Sequence, residues 1–175
     1  MQFNLEQESL KISASKIKLL ALDVDGVLTD GRLYFSNSGE ETKAFHSLDG
    51  HGIKMLLSAG VDVGIITGRT SLLVEKRAKD LGIEIIYQGR EDKLQALNEI
   101  VANKGYPLEE VAYVGDDLPD LPAIQSVGLG FSVPNGHSDV RAAAAAVTLT
   151  AGGSGAVREI TDFIIKSQNR NDNFI

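Results

Sequence analysis

The sequence predicts an α/β fold of three layers, in which helices cover both faces of a mostly parallel β-sheet. Short apolar runs of strand length alternate with helical patterns along most of the 175 residues, as in consecutive βαβ units. No internal repeat, low-complexity linker or shift in composition divides the chain. We therefore expect a single domain over residues 1–175, large enough to bury its own core.

Six apolar runs account for the predicted strands, and the last of them is the weakest. They are KLLALDV (18–24), VDVGIIT (61–67), IEIIYQ (83–88), VAYVGD (111–116), VGLGFSV (127–133) and AVTLT (146–150). Helical patterns occupy the intervals between them, at 49–60, 70–82, 91–105, 118–127 and 138–145. A glycine-rich tail with a final helix, 151–168, ends the pattern, and residues 1–18 are expected to be an ordered or frayed lead-in.

One segment interrupts this alternation. Residues 31–46, GRLYFSNSGEETKAFH, carry two short extended arms around the turn residues Asn37, Ser38 and Gly39, which predicts a β-hairpin. The hairpin follows the first strand directly, and the carboxyl end of a strand is where an open α/β sheet carries its active site. We therefore interpret residues 31–46 as a flap over a site rather than as a surface decoration.

Composition excludes several classes of protein. A net charge of −7 at pH 7 argues against a nucleic-acid surface, because phosphate-backbone binding requires a basic face. The absence of cysteine excludes disulfides and thiolate metal sites and agrees with a cytoplasmic protein. Residues 1–18 lack the apolar core of a signal peptide, and no apolar run approaches the roughly 20 residues of a membrane helix. We expect no binding to nucleic acid or to a membrane.

Reactive side chains follow the ends of the predicted strands. Asp23 and Asp25 end the first, Thr67 the second, Asp116 and Asp117 the fourth, and Lys93 opens the helix after the third. Because the ends of parallel strands share one rim, these groups should converge on a single crevice. Clustered carboxylates repel each other unless a cation lies among them, and hard oxygen ligands suit Mg²⁺ better than Zn²⁺ or a dedicated Ca²⁺ cage. Lys93 and Thr67 could then hold phosphate oxygens.

The spacing of Asp23 and Asp25 suggests a division of labour. One carboxylate can act as a nucleophile and form an aspartyl-phosphate. The other can protonate the leaving alcohol and then activate the water that hydrolyses the intermediate. This pair therefore favours phosphoryl-transfer chemistry over a strand-end Asx turn.

Four motifs in order carry a resemblance to a known superfamily. DVDGVLTDG (23–31), ITGR (66–69), Lys93 and GDDLPD (115–120) resemble the haloacid dehalogenase (HAD) superfamily of phosphohydrolases, over residues 18–167. DxDG alone would be a weak signal, whereas four motifs at this spacing are a strong one. The resemblance implies a HAD-like Rossmannoid sandwich with a hairpin after the first strand and no cap domain.

Four further segments narrow the resemblance. KAFHSLDGHGIK (43–54), YQGREDK (87–93), AYVGDDLPDLP (112–122) and AGGSGAVREI (151–160) are similar to the 3-deoxy-D-manno-octulosonate 8-phosphate (KDO 8-phosphate) phosphatase family. That family implies a phosphoric monoester hydrolase that releases KDO and inorganic phosphate in lipopolysaccharide precursor synthesis. It also implies a Mg²⁺-dependent homotetramer. Because a lone two-stranded hairpin is marginally stable and has exposed edges, we expect the hairpins of the subunits to meet, with residues 46–50 and 152–155 near active sites.

The resemblance also implies roles for individual residues. Asp23 corresponds to the nucleophile and Asp25 to the general acid/base, while Thr67 and Lys93 bind the phosphoryl group. The Asp23 side chain, the Asp25 carbonyl and Asp116 are the implied Mg²⁺ ligands. Asp117 and Asp120 are implied to support them. The implied substrate contacts are Asp25, His46, Ser47, Leu48, Asp49, Gly50, Lys54, Arg69, Arg77 and Lys93.

The chain departs from the family pattern at three positions. At His46 and Ser47 the family usually has Asn followed by an apolar or β-branched residue, and at Lys54 it usually has Arg. Lysine replaces a bidentate fork with a point charge. Arg77, amid EKRAKD, could equally lie on a solvated helix face, and Arg69 could pair on the surface. The histidines are assigned no metal or acid/base role.

Two other functions remain open at this point. A phosphatase for a sialic-acid-type 9-phosphate would share the same motifs. A phospho-aspartate receiver module also uses an acidic cluster, a threonine, a lysine and Mg²⁺ on an α/β sheet. In that module the acidic pair follows the first strand and the phosphoacceptor follows a later one, whereas Asp25 here supplies the acid/base that makes turnover possible.

Overall fold

The computed structural model describes residues 1–169, so the last six residues of the predicted domain, 170–175, lie outside the described part. Nine strands and seven α-helices follow each other within it. The strands are β1 (Gln2–Phe3), β2 (Leu19–Leu22), β3 (Tyr34–Phe35), β4 (Glu41–Thr42), β5 (Asp62–Ile66), β6 (Ile85–Tyr87), β7 (Val111–Val114), β8 (Leu129–Ser132) and β9 (Ala146–Val147). The helices are α1 (Gln7–Ala14), α2 (Ser47–Ser58), α3 (Leu72–Leu81), α4 (Lys93–Lys104), α5 (Leu121–Ser126), α6 (Ser138–Ala143) and α7 (Ala156–Ser167).

Seven strands form one sheet in the order β1-β9-β8-β7-β2-β5-β6. All neighbours are parallel except β1, which runs antiparallel to β9. The first long strand, β2, is central, and its register places Leu22 opposite both Ile65 and Val114. The prediction of a mostly parallel α/β fold is confirmed, and the loops after β2, β5 and β7 meet at one rim.

Helices cover both faces of the sheet, as predicted. Because side chains alternate along a strand, Leu20 and Leu22 of β2 belong to one core and Leu19 and Ala21 to the other. The first core contains apolar residues of α1, α2, α3 and α7. The second contains those of α4, α5 and α6. These two cores give the three layers.

The N-terminal segment is more structured than the expected lead-in. β1 adds an antiparallel edge strand, and α1 buries Leu10 and Ala14 against the sheet. Two residues are too short to show strand periodicity, and the polar sequence QESLKISA has a weak apolar stripe. Tertiary pairing with β9, rather than local sequence, determines this segment.

The predicted hairpin is present as a separate two-stranded sheet of β3 and β4, with Phe35 opposite Glu41. Within residues 1–169, no separate cap domain is inserted between the elements. Among those residues, no helix has both the length and the apolarity to cross a bilayer.

Candidate active site

A crevice of about 340 Å³ opens at the carboxyl ends of β2, β5 and β7. Its lining brings together the predicted catalytic, metal-binding and supporting residues: Asp23, Asp25, Thr67, Lys93, Asp116, Asp117 and Asp120. Arg69 lines the same crevice. Residues up to 97 positions apart in the sequence therefore share one site, as the common rim of a parallel sheet predicts.

The loop after β2 is shaped so that carboxylates can approach each other. The Asp23 N–H donates to the Val114 carbonyl (3.0 Å), which continues the sheet by one residue. Gly26 then adopts φ +98°, a conformation that favours glycine. A Cβ at Gly26 would overlap the Asp116 carboxylate. Glycine at this position therefore allows the first and fourth motifs to lie in contact.

Asp120 holds the fourth motif together. Its Oδ2 accepts from the backbone N–H groups of Asp116 (3.1 Å) and Asp117 (3.2 Å). Its Oδ1 accepts from the Tyr113 hydroxyl (2.8 Å) and the Lys93 ammonium (3.0 Å). Both oxygens are engaged, so Asp120 positions its neighbours, which leaves Asp23 and Asp116 as the carboxylates best placed to hold a ligand.

Lys93 is buried at the start of α4, where Asp92 caps the helix by accepting from the Gln95 N–H (2.9 Å). Its Nζ lies 2.8 Å from Asp23 Oδ1 and 3.0 Å from Asp120 Oδ1. Burial alone would lower the pKa of Lys93, but Asp23 and Asp120 outweigh it and raise the pKa. Lys93 is therefore a fixed cation at the floor of the crevice.

The donor set fits a hard divalent cation. Carboxylate oxygens of Asp23, Asp116 and Asp120 all lie within 4.8 Å of one another. Burial, and then repulsion from neighbouring carboxylates, raises the pKa of Asp23 and of Asp116 to about 7. One ammonium, from Lys93, does not balance three carboxylates. Oxygen ligands with this surplus of negative charge are those that Mg²⁺ prefers.

Two charged residues of the hairpin reach this site and were not singled out from the sequence. Lys43 contacts Asp25 Oδ1, and Glu41 accepts from Arg69 Nη2 at 2.7 Å. On a hairpin, glutamate and lysine usually indicate a solvated surface. The available signal was their i, i+2 spacing in the second arm of the predicted hairpin, because residues at this spacing in an extended segment share one face.

The candidates at the start of α2 lie outside the crevice lining of the single chain. His46 caps α2 by accepting from the Leu48 N–H (3.2 Å). Ser47 and Leu48 are exposed in the first turn of this helix. Lys54 is exposed one turn further along. The structure therefore places these predicted substrate contacts on the surface beside the hairpin.

Asp49, Gly50 and Arg77 tie α2 to its neighbours. Buried Asp49 accepts from the Arg158 N–H (2.8 Å) at the N-terminus of α7. A Cβ at Gly50 would overlap the Arg77 guanidinium. Arg77 donates to the His46 carbonyl (3.3 Å) and lies 5.8 Å from the Phe45 ring centroid. Arg77 and residues 46–50 are thus brought together, at a distance from the acidic cluster.

The glycine-rich tail packs against the loop that follows β2, residues 23–31, in its own chain. The Gly153 N–H donates to the Val27 carbonyl (2.9 Å), and a Cβ at Gly152 would overlap the Gly26 carbonyl. The Asn135 amide joins the two segments, since its Nδ2 donates to the Gly26 carbonyl (3.0 Å) and its Oδ1 accepts from the Gly152 N–H (2.8 Å). Nothing in the sequence around Asn135 predicted this bridge.

Comparisons with known proteins agree with this geometry. Residues 83–160 match the haloacid dehalogenase-like hydrolase family. The KDO 8-phosphate phosphatase of Yersinia pestis is 48% identical over 157 residues, which cover 90% of this chain and 84% of the relative. That of Escherichia coli K12 is 47% identical, with 91% and 85% covered.

Solved structures of similar proteins point to the same family as the sequence relatives. The Moraxella catarrhalis KDO 8-phosphate phosphatase, crystallised with a magnesium ion, a phosphate ion and KDO, matches with a TM-score of 0.95 and 47% identity over 97% of each chain. The cobalt-bound deoxy-D-mannose-octulosonate 8-phosphate phosphatase of Haemophilus influenzae matches at 0.89 and 40%, covering 93% of this chain and 95% of that one. At this identity and coverage, the chain belongs to the KDO 8-phosphate phosphatase family of HAD-like hydrolases.

Proposed function

We propose that the protein is a Mg²⁺-dependent phosphomonoesterase that hydrolyses KDO 8-phosphate to KDO and inorganic phosphate. The observation that carries this proposal is the convergence of Asp23, Asp25, Lys93 and Asp116 in one crevice. The substrate is inferred from relatives that are 40 to 48% identical and bear that name.

The first half of the reaction transfers the phosphoryl group to the protein. An Asp23 carboxylate oxygen attacks phosphorus, and the bond from phosphorus to the sugar oxygen breaks. The leaving oxygen takes the proton of the Asp25 carboxyl as that bond breaks, so that KDO departs with a neutral hydroxyl group rather than an alkoxide. The product of this half-reaction is an aspartyl-phosphate on Asp23.

The second half releases phosphate. Asp25, now a carboxylate, accepts a proton from a water molecule that attacks phosphorus. The bond from phosphorus to the Asp23 oxygen breaks, which restores the Asp23 carboxylate and leaves the proton on Asp25 for the next turnover. The i, i+2 spacing lets one loop supply both groups.

The remaining crevice residues bind and orient the phosphoryl group. Lys93 and Thr67 bind its oxygens, and the Lys93 charge stabilises the negative charge of the transferring group. Mg²⁺, held by the Asp23 side chain, the Asp25 carbonyl and Asp116, would supply further positive charge at the phosphoryl oxygens. Asp117 and Asp120 support these ligands, since Asp120 accepts hydrogen bonds from the backbone of the loop that carries Asp116 and Asp117.

We assign the sugar-acid part of the substrate to residues 46–50, Lys54, Arg69 and Arg77, of which Arg69 already lines the crevice. The others lie apart from it, and a neighbouring subunit of a homotetramer could bring them to an adjacent crevice. Exposed Leu33, Tyr34 and Phe35 on the hairpin support such an assembly, since contiguous exposed apolar surface is typical of protein–protein contacts.

A phosphate-release screen tests the proposed activity. KDO 8-phosphate should give the highest kcat/KM, with a sialic-acid 9-phosphate and p-nitrophenyl phosphate as competitors. Release from the sialic-acid 9-phosphate alone would move the assignment to that sugar acid. A single turnover that leaves the protein phosphorylated would indicate a receiver-like module instead.

The cellular setting is also part of the proposal. We place the reaction in the cytoplasm, in lipopolysaccharide precursor synthesis, on the basis of family membership and the cysteine-free sequence. Cells that lack the protein should accumulate KDO 8-phosphate in their extracts. Unchanged KDO 8-phosphate levels would argue against this placement.

A further inference from the structure

The second arm of the hairpin directs two charged side chains toward residues that line the crevice. Glu41 begins β4 and Lys43 directly follows it, and these two side chains contact Asp25 and Arg69 of the crevice, while Thr42 between them is exposed. The Lys43 side chain is only 2% exposed, although most of residues 31–46 faces solvent. A solvated hairpin lysine would extend into water, because burying an ammonium without a partner is unfavourable.

The partners of Lys43 show why it is buried. Its Nζ contacts Asp25 Oδ1 and lies 3.6 Å from Glu41 Oε1. On the other side of Asp25, Arg69 Nε is 3.6 Å from Oδ2. Each Asp25 oxygen therefore faces its own cation. Contacts on both sides restrict rotation of the carboxylate about its side-chain bonds.

Glu41 in turn fixes the two cations. Its Oε1 lies 2.7 Å from Arg69 Nη2, and its Oε2 accepts from the Ser71 hydroxyl at 3.0 Å. Arg69 and Ser71 belong to the loop between β5 and α3. One carboxylate therefore connects the hairpin, the loop of the second motif and, through Lys43, the acid/base residue of the first motif.

We propose that Lys43 is a positioning residue for proton transfer, which holds the Asp25 carboxyl toward the leaving oxygen, and that Glu41 keeps Lys43 and Arg69 in place for this. The inference rests on the proposed function, because it takes Asp25 as the acid/base. The transferred proton comes from Asp25 and goes to the leaving oxygen, while Lys43 keeps its own protons. Without Lys43 the Asp25 carboxyl would be misoriented, which weakens proton transfer but leaves the residues that bind the phosphoryl group in place.

The test compares aryl phosphates whose leaving groups differ in their need for a proton. Lys43→Met keeps most of the side-chain volume and removes the ammonium. The measured quantity is kcat/KM, which reports the steps up to departure of the leaving group and is independent of the later attack of water. For phenyl phosphate it should fall by roughly 10- to 100-fold, since general acid catalysis contributes about 10²–10⁴. For p-nitrophenyl phosphate, whose leaving group departs without a proton, it should change by less than about threefold.

Thr42→Ala is the matched control on the same strand, and it should leave both rates as in the wild type. Equal losses on both substrates, or no loss on either, would refute the positioning role. Lys43→Met also leaves Asp25 and Glu41 without their shared cation, so the charge-balanced double variant Lys43→Met/Glu41→Gln is measured beside it. If neither variant folds, Lys43 serves the fold alone and the inference is wrong.

Asp25→Asn separates this inference from the proposed function. It should show the same dependence on the leaving group, and to a greater extent than Lys43→Met. If Asp25→Asn shows the dependence and Lys43→Met does not, only the inference about Lys43 fails. If Asp25→Asn retains wild-type rates on phenyl phosphate, the proposed acid/base itself is wrong.

Discussion

Asp23 is the residue on which turnover depends most directly. Asp23→Asn should lower kcat by roughly 10³-fold or more, because an amide is a poor nucleophile, and loss of a nucleophile is among the largest single-residue effects in enzymes. The measurement is phosphate release at saturating substrate. Asp80→Asn, an exposed aspartate of α3, is the control for loss of a charge. Activity of Asp23→Asn within a few-fold of wild type would overturn the mechanism.

Tyr113 supports the site from within the sheet. Burial, and then the charge of Asp120, raises the pKa of the Tyr113 hydroxyl well above its usual range, so it remains a donor to Asp120. Tyr113→Phe leaves the buried carboxylate one donor short, and we expect the free energy of unfolding to fall by about 1–3 kcal/mol.

Urea unfolding measures this loss, and Tyr106→Phe is its matched control. The Tyr106 hydroxyl donates to Asp62 at 3.1 Å in a part of the surface that water reaches. Water can replace that bond, so the control should lose less than Tyr113→Phe. Equal losses in the two variants would show that burial of Asp120 does not set the cost.

Prediction from the sequence was effective for residues at strand ends and ineffective for residues that reach the site from elsewhere. Asp23, Thr67 and Asp116 follow from the geometry of a parallel sheet. Lys43 and Asn135 do not, because their contacts with the loop after β2 form only when a hairpin or a later loop folds over it. The i, i+2 spacing of Glu41 and Lys43 indicates only that two side chains share a face, and the tertiary fold decides which residues they contact.

At the scale of elements, the N-terminus of α7 depends on Glu159. This carboxylate accepts from the backbone N–H groups of Leu149 (3.0 Å) and Thr150 (3.2 Å) and lies 2.6 Å from the Met1 amino group. Burial alone would raise the pKa of Glu159, but these donors outweigh it and hold the pKa below the usual 4.5. The ionised form therefore stabilises the link between β9 and α7.

Glu159→Gln should therefore lower the free energy of unfolding by an amount that depends on pH. A lowered folded-state pKa gives stability that is present above about pH 4.5 and is lost as the pH falls through the folded-state pKa. We expect the variant to lose about 1 kcal/mol at pH 7 and to approach wild type in acid. Urea unfolding at both pH values checks this, with exposed Glu109→Gln as control. The same loss at both pH values would contradict the assignment.

The elements themselves were largely predictable. The six predicted strands and the helices between them are present, usually one or two residues shorter at each end. β1 and α1 were missed because their stability comes from contact with β9 and α7 rather than from their own sequence. The pattern of apolar residues identifies elements that build the core and overlooks those that attach to it.

At the scale of the whole molecule, the apolar hairpin should govern assembly. Phe35 is 59% exposed at the tip of β3, and a charge there would oppose its burial between subunits. Phe35→Glu should shift the protein toward smaller species in light scattering. Leu72→Glu changes an isolated exposed leucine of α3 and should leave the mass unchanged. A wild-type monomer with full activity would refute the homotetramer.

Metal binding should also stabilise the whole molecule. Mg²⁺ at 100 times its Kd would raise the free energy of unfolding by about 2.7 kcal/mol. For a chain of this size, that corresponds to a rise in Tm of roughly 5 to 10 °C. EDTA should abolish activity and the Tm gain together, and Mg²⁺ should restore both. Asp116→Asn should lose most of the gain, while Asp80→Asn retains it. An unchanged gain in Asp116→Asn would place the ion elsewhere.

The central position of β2 has a consequence for how the protein is made. Leu19–Leu22 leaves the ribosome before either of its neighbours, β5 and β7, exists. At about 5–20 residues per second, the wait from residue 22 to residue 114 lasts roughly 5 to 20 s. During that time a fully apolar strand with two unpaired edges is exposed on a nascent chain, where such edges invite aggregation. Conditions that slow translation between these points should therefore lower the yield of folded protein without changing its final stability.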